Sequence, residues 1–167
     1  MKQDYWNARK DATYYREAVE MARAQAPAAK SVLDVGGGGC EYITWADWIP
    51  LKVALDPWRA RELPGVLYLR EEFEHFTPEI RFDLAFCLQV LEHIEDAGAF
   101  AQKLLASAET VIISVPYKWP AGYCPGHVQD PVDEEKLEGW TGIKAIESKI
   151  ITDGTCRRLL AAFRRKA

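Results

Sequence analysis

Residues 31–40 read SVLDVGGGGC, and this stretch decides the fold. Val32, Leu33 and Val35 make a short apolar run interrupted by one carboxylate, Asp34. Such a run suits a strand buried on both faces of a parallel sheet. Four consecutive glycines follow, Gly36 to Gly39. Glycine reaches positive φ and has no Cβ, so its backbone can lie close to a ligand. The carboxyl end of a first strand is where open α/β sheets bind ligands. Two phosphate-binding patterns do not fit. The dinucleotide fingerprint needs a glycine where Glu41 stands, and no Gly-Lys-Ser/Thr follows to make a P-loop.

The rest of the chain sets bounds on what this loop serves. Its 167 residues are 49% hydrophobic and 28% charged, which predicts one globular domain. The net charge of −4 argues against a general nucleic-acid binder. The basic tail (Arg157, Arg158, Arg164, Arg165, Lys166) reads as a solvated edge. Asp4, Arg9, Lys10 and Asp11 leave no apolar leader at the start, and no apolar run is long enough to span a bilayer. Cysteines at 40, 87, 124 and 156 form no C-x-x-C pair, so a reduced, cytoplasmic setting is expected.

Periodicity places the elements. Tyr5, Ala8, Ala12, Tyr15, Val19 and Ala22 predict a helix from about Asp4 to Gln25, ended by Pro27. A helix is expected over Glu41–Trp48, stopped by Pro50, and a second strand over Leu51–Leu55. That strand ends in Asp56-Pro57-Trp58. Asp56 follows Gly36 by about 20 residues, the spacing at which an acidic residue meets ribose hydroxyls. A carboxylate suits that role because it accepts both hydrogens of a vicinal diol. Val66–Leu69 reads as a third strand, with Glu71 and Glu72 just beyond it. Phe82–Leu88 (FDLAFCL) reads as a fourth strand running into Gln89-Val90-Leu91-Glu92-His93-Ile94. Asp96 is placed to cap a helix through Ala106, and Thr110–Val115 is the fifth strand.

Residues 116–131 are irregular, broken by Pro120, Gly122, Pro125 and Gly126. A loop of this length in a compact domain is commonly functional, and its Tyr117, Trp119, His127 and Asp130 mark it as the substrate loop. Cys124-x-x-His127-x-x-Asp130 has ligand-like spacing, but three residues without a second cluster lead us to expect no metal. A helix over Asp133–Trp140 and a strand over Ile143–Ile151 follow, then a turn at Asp153-Gly154. Cys156, Leu159, Leu160 and Phe163 stand at i, i+3, i+4 and i+7, the template of a terminal amphipathic helix.

Two segments carry a family resemblance. SVLDVGGGGC resembles motif I of class I S-adenosylmethionine (SAM)-dependent methyltransferases, V-L-D-x-G-x-G-x-G, with Cys40 at the last glycine. FDLAFCLQVLEHI resembles the segment F-D-x-V-x-x-x-x-V-L-E-H-I/V common in the same enzymes, with Ala85 in place of the valine. The resemblance spans about Asp4 to Ile151, and the Pro-Gly-Gly turn usual before strand five is absent. It implies a single Rossmann-like α/β domain over residues 1–167, with a mostly parallel sheet of order 3-2-1-4-5-7-6 and helices on both faces. The helical pattern of the tail would leave out one or both of the last two strands.

The resemblance also implies SAM as cofactor, held by Asp34, Gly36, Gly37 and Gly38, by Asp56 with Pro57 and Trp58, and by Leu88 and Gln89. Either Glu71 or Glu72 would take the adenine amino group. Residues 1–27 would form a lid helix, with Tyr14, Tyr15, Tyr117, Trp119 and Asp130 facing the substrate. His93 and His127 are the candidate general bases, because histidine is the residue type whose unperturbed side chain exchanges a proton near neutral pH. The implied function is methyl transfer to O, N or C of a small-molecule acceptor. No Asn/Asp-Pro-Pro-Tyr/Phe motif follows strand four, which disfavours methylation of base amino groups. The partners expected are the small acceptor and, where the chain associates, a second copy; neither a membrane nor nucleic acid is expected. A non-catalytic protein on the same fold and an NAD(P)-dependent oxidoreductase are the alternatives.

Overall fold

A computed structural model describes residues 6–58 and 62–165. Seven strands form one sheet: β1 (Ser31–Val35), β2 (Leu51–Leu55), β3 (Val66–Leu69), β4 (Phe82–Leu88), β5 (Ala108–Pro116), β6 (Glu147–Asp153) and β7 (Cys156–Arg164). Their order is β3-β2-β1-β4-β5-β7-β6. The first five run parallel, and β7 enters antiparallel between β5 and β6. Among the described residues the helices that pack on the sheet are α1 (Thr13–Gln25), α2 (Ala97–Ser107) and α3 (Glu134–Thr141).

The strand period of two splits the apolar residues between two cores. Val32, Ala54, Phe86, Ile112 and Leu160 face α1. Leu33, Val53, Ala85, Val111 and Phe163 face α2 and α3. The central strands are therefore apolar on both faces, which explains the near-continuous runs in β1, β4 and β5. Two N-caps fix the helices on the second face. Asp96 accepts from the N–H of Ala99 at 2.9 Å, and Asp133 from that of Lys136 at 3.1 Å.

Three expectations are corrected. The terminal amphipathic helix is the strand β7, so no strand of the expected sheet is missing. Leu159, Ala161 and Phe163 pack on one face and Leu160 and Ala162 on the other. A run buried on both faces satisfies helical spacing by accident, which periodicity cannot resolve. The helix expected over Glu41–Trp48 is only a short 3-10 turn, Glu41–Trp45. Ile43 and Thr44 are β-branched and Tyr42 and Trp45 aromatic, all weak helix formers. The strand expected over Ile143–Ile151 starts four residues later and ends at Asp153. There Gly154, at φ 61°, makes the two-residue turn of a hairpin with Asp153 paired to Cys156.

The first helix is shorter than expected, and residues 1–5 of the proposed lid lie outside the described residues. Tyr14, Tyr15, Ala18, Met21 and Ala22 are buried against the sheet, so α1 is a wall of the core over its described length.

Candidate functional site

The site is assembled at the carboxyl ends of β1, β2 and β4. The Gly36 N–H donates to the Leu55 carbonyl at 2.8 Å and carries the β1–β2 ladder one step beyond the strands. The chain then turns at Gly36, whose φ is 75°. A Cβ here would lie 2.6 Å from Cγ2 of Val90. One on Gly37 would lie 2.0 Å from Oδ2 of Asp34. The glycines are thus required by close approach to Val90, just past β4, and to the aspartate behind them.

Asp34 is 1% exposed and accepts a hydrogen bond from the Tyr42 hydroxyl. Burial raises its carboxyl to about pKa 7; the Tyr42 hydrogen bond partly opposes this, and the charge of Asp56 adds to it. Burial and the neighbouring carboxylate push the Tyr42 hydroxyl up as well. Tyr42 in turn stacks on Tyr15, ring centroids 4.9 Å apart.

In front of the loop lies a cavity of about 620 Å³, a size that suits a cofactor. Gly36 and Gly37 form one side, Asp56, Pro57 and Trp58 another, and Leu88, Gln89 and Val90 the floor. Phe73 and Phe100, with ring centroids 4.8 Å apart, and Ile94 close an apolar end. Asp56 is 7% exposed, and its Oδ1 accepts from the Trp58 N–H at 2.9 Å. Gln89 adopts φ 58°, sparsely populated for a side-chain-bearing residue. Its N–H donates to the Ser114 carbonyl at 2.8 Å, and its Oε1 accepts from Nε of Arg158 at 3.3 Å.

Next to Ile94, two histidines meet at the edge of the cavity. The rings of His93 and His127 stand edge to face, centroids 4.7 Å apart. His93 Nδ1 is 2.9 Å from the Gly126 carbonyl oxygen, and His127 Nδ1 is 2.7 Å from Oδ2 of Asp130. The Val128 N–H donates to the Glu92 carbonyl at 2.8 Å, pinning the long loop to the turn after β4. Glu92 is 1% exposed. Burial raises its carboxyl to about pKa 8; a backbone hydrogen bond and Arg158 pull the other way, and Asp130 adds to the rise. Burial likewise pushes the Cys87 thiol up.

No protein-family profile matches the chain, and no curated protein sequence matches it. Solved structures do. Magnesium protoporphyrin IX methyltransferase (ChlM) from Synechocystis PCC 6803, with bound S-adenosylhomocysteine (SAH), superposes at a TM-score of 0.72 and 16% identity, covering 92% of this chain and 83% of that one. The 1,6-didemethyltoxoflavin-N1-methyltransferase of Burkholderia thailandensis superposes at 0.73 and 18% identity, covering 99% and 87%. The N-methyltransferase NodS of Bradyrhizobium japonicum WM9 gives 0.72 and 14%, covering 93% and 96%. The chain has the class I SAM-dependent methyltransferase fold.

On this methyltransferase fold the expected cofactor residues divide. Gly36, Gly37, Asp56, Pro57, Trp58, Glu72, Leu88 and Gln89 line the cavity. Asp34, Gly38 and Glu71 do not, and Asp34 sits behind the loop as its support. Of the expected substrate residues, Tyr15 lines the cavity, as does the candidate base His93. Tyr14 lies beneath the Arg158 guanidinium, 4.6 Å from its ring centroid. Tyr117 and Trp119 line a separate surface pocket of about 230 Å³ with Tyr123 and Arg157. Asp130 is spent on His127, and Cys124 hydrogen-bonds the Pro125 carbonyl, so the Cys124–His127–Asp130 spacing gathers no common centre.

Sequence reasoning missed Tyr42, Phe73, Phe100, Glu92 and Arg158. Tyr42 carried a signal, standing eight residues after Asp34 at the end of the glycine loop. Arg158 carried none, since it read as part of a solvated tail. No helix among the described residues is long and apolar enough to cross a membrane.

Proposed function

We propose that the chain is a SAM-dependent methyltransferase acting on O, N or C of a small-molecule acceptor. The observation that carries this is the glycine-walled cavity at the ends of β1, β2 and β4 with Asp56 in its side. A Cβ on either loop glycine would collide with Val90 or Asp34, so the backbone itself forms the wall. Asp56 and the loop would hold the ribose and amino-acid parts of SAM. The apolar end at Phe73, Phe100 and Ile94 would take the adenine, with Glu72 rather than Glu71 within reach of its amino group. When bound, SAM supplies a methyl group already activated on a sulfonium.

The chain's remaining task is orientation in a dry site. Tyr15, Tyr42 and Gln89 form walls that exclude water and direct the acceptor. His93 and His127 stand beside the cavity, where an acceptor hydroxyl would release its proton to an imidazole nitrogen. The partner is a small acceptor, and the four free cysteines fit a cytoplasmic setting. The long loop, pinned over the turn after β4, supports this end as the acceptor's entrance.

An NAD(P)-dependent oxidoreductase fits less well. Dinucleotide folds of this order close with a further parallel strand, whereas here an antiparallel β7 lies beside β5.

Calorimetric titration with SAM and with SAH, on wild type and Asp56→Ala, tests the reading. Binding that weakens by about tenfold or more in the variant is expected, the effect of losing charge-assisted hydrogen bonds. Binding of NAD instead would move the protein to the oxidoreductases. Binding of neither would leave a non-catalytic protein on this fold.

A further inference from the structure

We infer that Glu92, His93 and His127 form a binding site for one divalent first-row transition-metal cation beside the cavity. One donor atom from each lies within 4.8 Å of the others. Ligands at about 2.1 Å from a tetrahedral centre stand about 3.4 Å apart, so side-chain rotation closes the remaining gap. The loop is held in place from both sides of His127. The residue before it, Gly126, accepts from His93, and the residue after it, Val128, donates to Glu92.

The second shell fits a metal too. Each imidazole has Nδ1 engaged, one by the Asp130 carboxylate and the other by a backbone carbonyl. That arrangement protonates Nδ1, fixes the tautomer and turns the Nε2 lone pair outward as a ligand. A second, independent observation concerns the carboxylates. Oε2 of Glu92 and Oδ1 of Asp130 are both buried with no hydrogen-bond partner. Glu92 is 1% exposed, and an orphaned carboxylate oxygen at such a place is costly. A cation between Glu92 and the two rings removes that cost. Two imidazoles and one carboxylate favour zinc, manganese, iron or cobalt over magnesium and calcium, which prefer oxygen ligands throughout.

Three protein ligands leave coordination positions open. His93 lines the cavity, so the open side faces the cavity. The role of the cation rests on the methyltransferase reading, although its binding does not. On that reading the acceptor is an oxygen compound that ligates the metal through its hydroxyl. With Nδ1 protonated and Nε2 on the metal neither imidazole can take the proton, so with the cation bound the acidified hydroxyl passes it to water, and the histidines serve as a base only in the metal-free protein.

Metal-stripped protein titrated with Co2+, followed by visible absorption, tests the site, with SAM calorimetry on the same metal-free sample. Ligand-field bands saturating at one Co2+ per chain are expected, displaced by Zn2+. His93→Ala and His127→Ala should each weaken Co2+ binding by about tenfold or more. His75→Ala and Cys124→Ser should leave it unchanged. His93 is exposed, so its variant tests the site even where Glu92→Gln fails to fold. No saturable Co2+ binding, or binding indifferent to both histidine variants, overturns the site. SAM binding without Co2+ binding overturns the metal and spares the methyltransferase; Co2+ binding without SAM binding keeps the metal site and removes the role given to it.

Discussion

Arg158 donates from Nε to Oε1 of Gln89 at 3.3 Å, joining residues 69 apart in the chain. The same guanidinium covers the Tyr14 ring at 4.6 Å and reaches Oδ2 of Asp153 at 3.4 Å. One side chain of β7 thereby ties α1, the hairpin and the cavity floor together. Gln89 needs such a tie, because φ 58° is costly and persists only where its surroundings determine it. Arg158→Ala should lower stability by about 1–3 kcal/mol and weaken SAM binding by roughly tenfold. Arg158→Lys should recover only part of both, since an ammonium cannot reproduce the planar fork. Thermal denaturation and calorimetry on the two variants check this; unchanged SAM affinity in Arg158→Ala would show that the bonds from Gln89 to Ser114 hold it in place without the arginine.

Glycine substitutions should separate the loop from the surface. Gly37→Ala places a methyl 2.0 Å from a buried carboxylate oxygen, and should cost about 2 kcal/mol or more and abolish SAM binding. Gly139, inside α3, has nothing within 4 Å of an added Cβ. Gly139→Ala should therefore stabilise by about 0.5–1 kcal/mol, through helix propensity and a less flexible unfolded chain. Chemical denaturation of both, with similar m-values, is the measurement.

What the sequence disclosed follows from the range of the interactions. Val32, Leu33 and Val35, then Phe82 to Leu88, are buried on both faces and bounded by turn residues, so the parallel strands are readable locally. The glycine loop and Asp56 are readable because their spacing is short and fixed by one strand–loop–strand passage. Leu159 to Phe163 were not, because an apolar run in an inner strand also satisfies helical spacing. Only its neighbours β5 and β6 decide between the two, and they lie elsewhere in the chain. His93 and His127 were visible one by one, but their meeting with Glu92 depends on Gly126 and Val128 folding back onto the turn after β4. The pairing of Arg158 with Gln89 has the same origin.

Stability should fall as pH rises through the range set by Asp34. Its carboxyl ionises near 3.8 in the unfolded chain and near 7 in the folded protein. Between those values the folded state holds a proton that the unfolded state lacks. The contribution is complete below about pH 4, declines by at most about 1.4 kcal/mol per pH unit, and is gone above about pH 7. Glu92, raised to about 8, bends the curve in the same direction. The difference between wild type and Asp34→Asn isolates the aspartate, since an amide does not titrate and every other group is shared. Urea unfolding at intervals from pH 4 to 8 should show the wild type losing stability relative to the asparagine variant, and parallel curves would refute the assignment.

Amide exchange gives the sharpest test of the tail. Ala161 pairs with Ile113 of β5 on one side and with Ser148 of β6 on the other. Every amide from Leu159 to Phe163 therefore faces a strand and should exchange at rates near those of global unfolding. β6 is an edge strand paired only with β7, so its protected amides should alternate with exposed ones. A terminal helix would instead protect consecutive amides in the tail and leave no alternation in residues 147–153. Ala161→Pro should cost about 3 kcal/mol or more, because it removes a ladder donor from an inner strand. Alternating protection in β6 beside continuous protection in β7 establishes the inserted strand, and uniformly fast exchange across residues 147–164 would refute it.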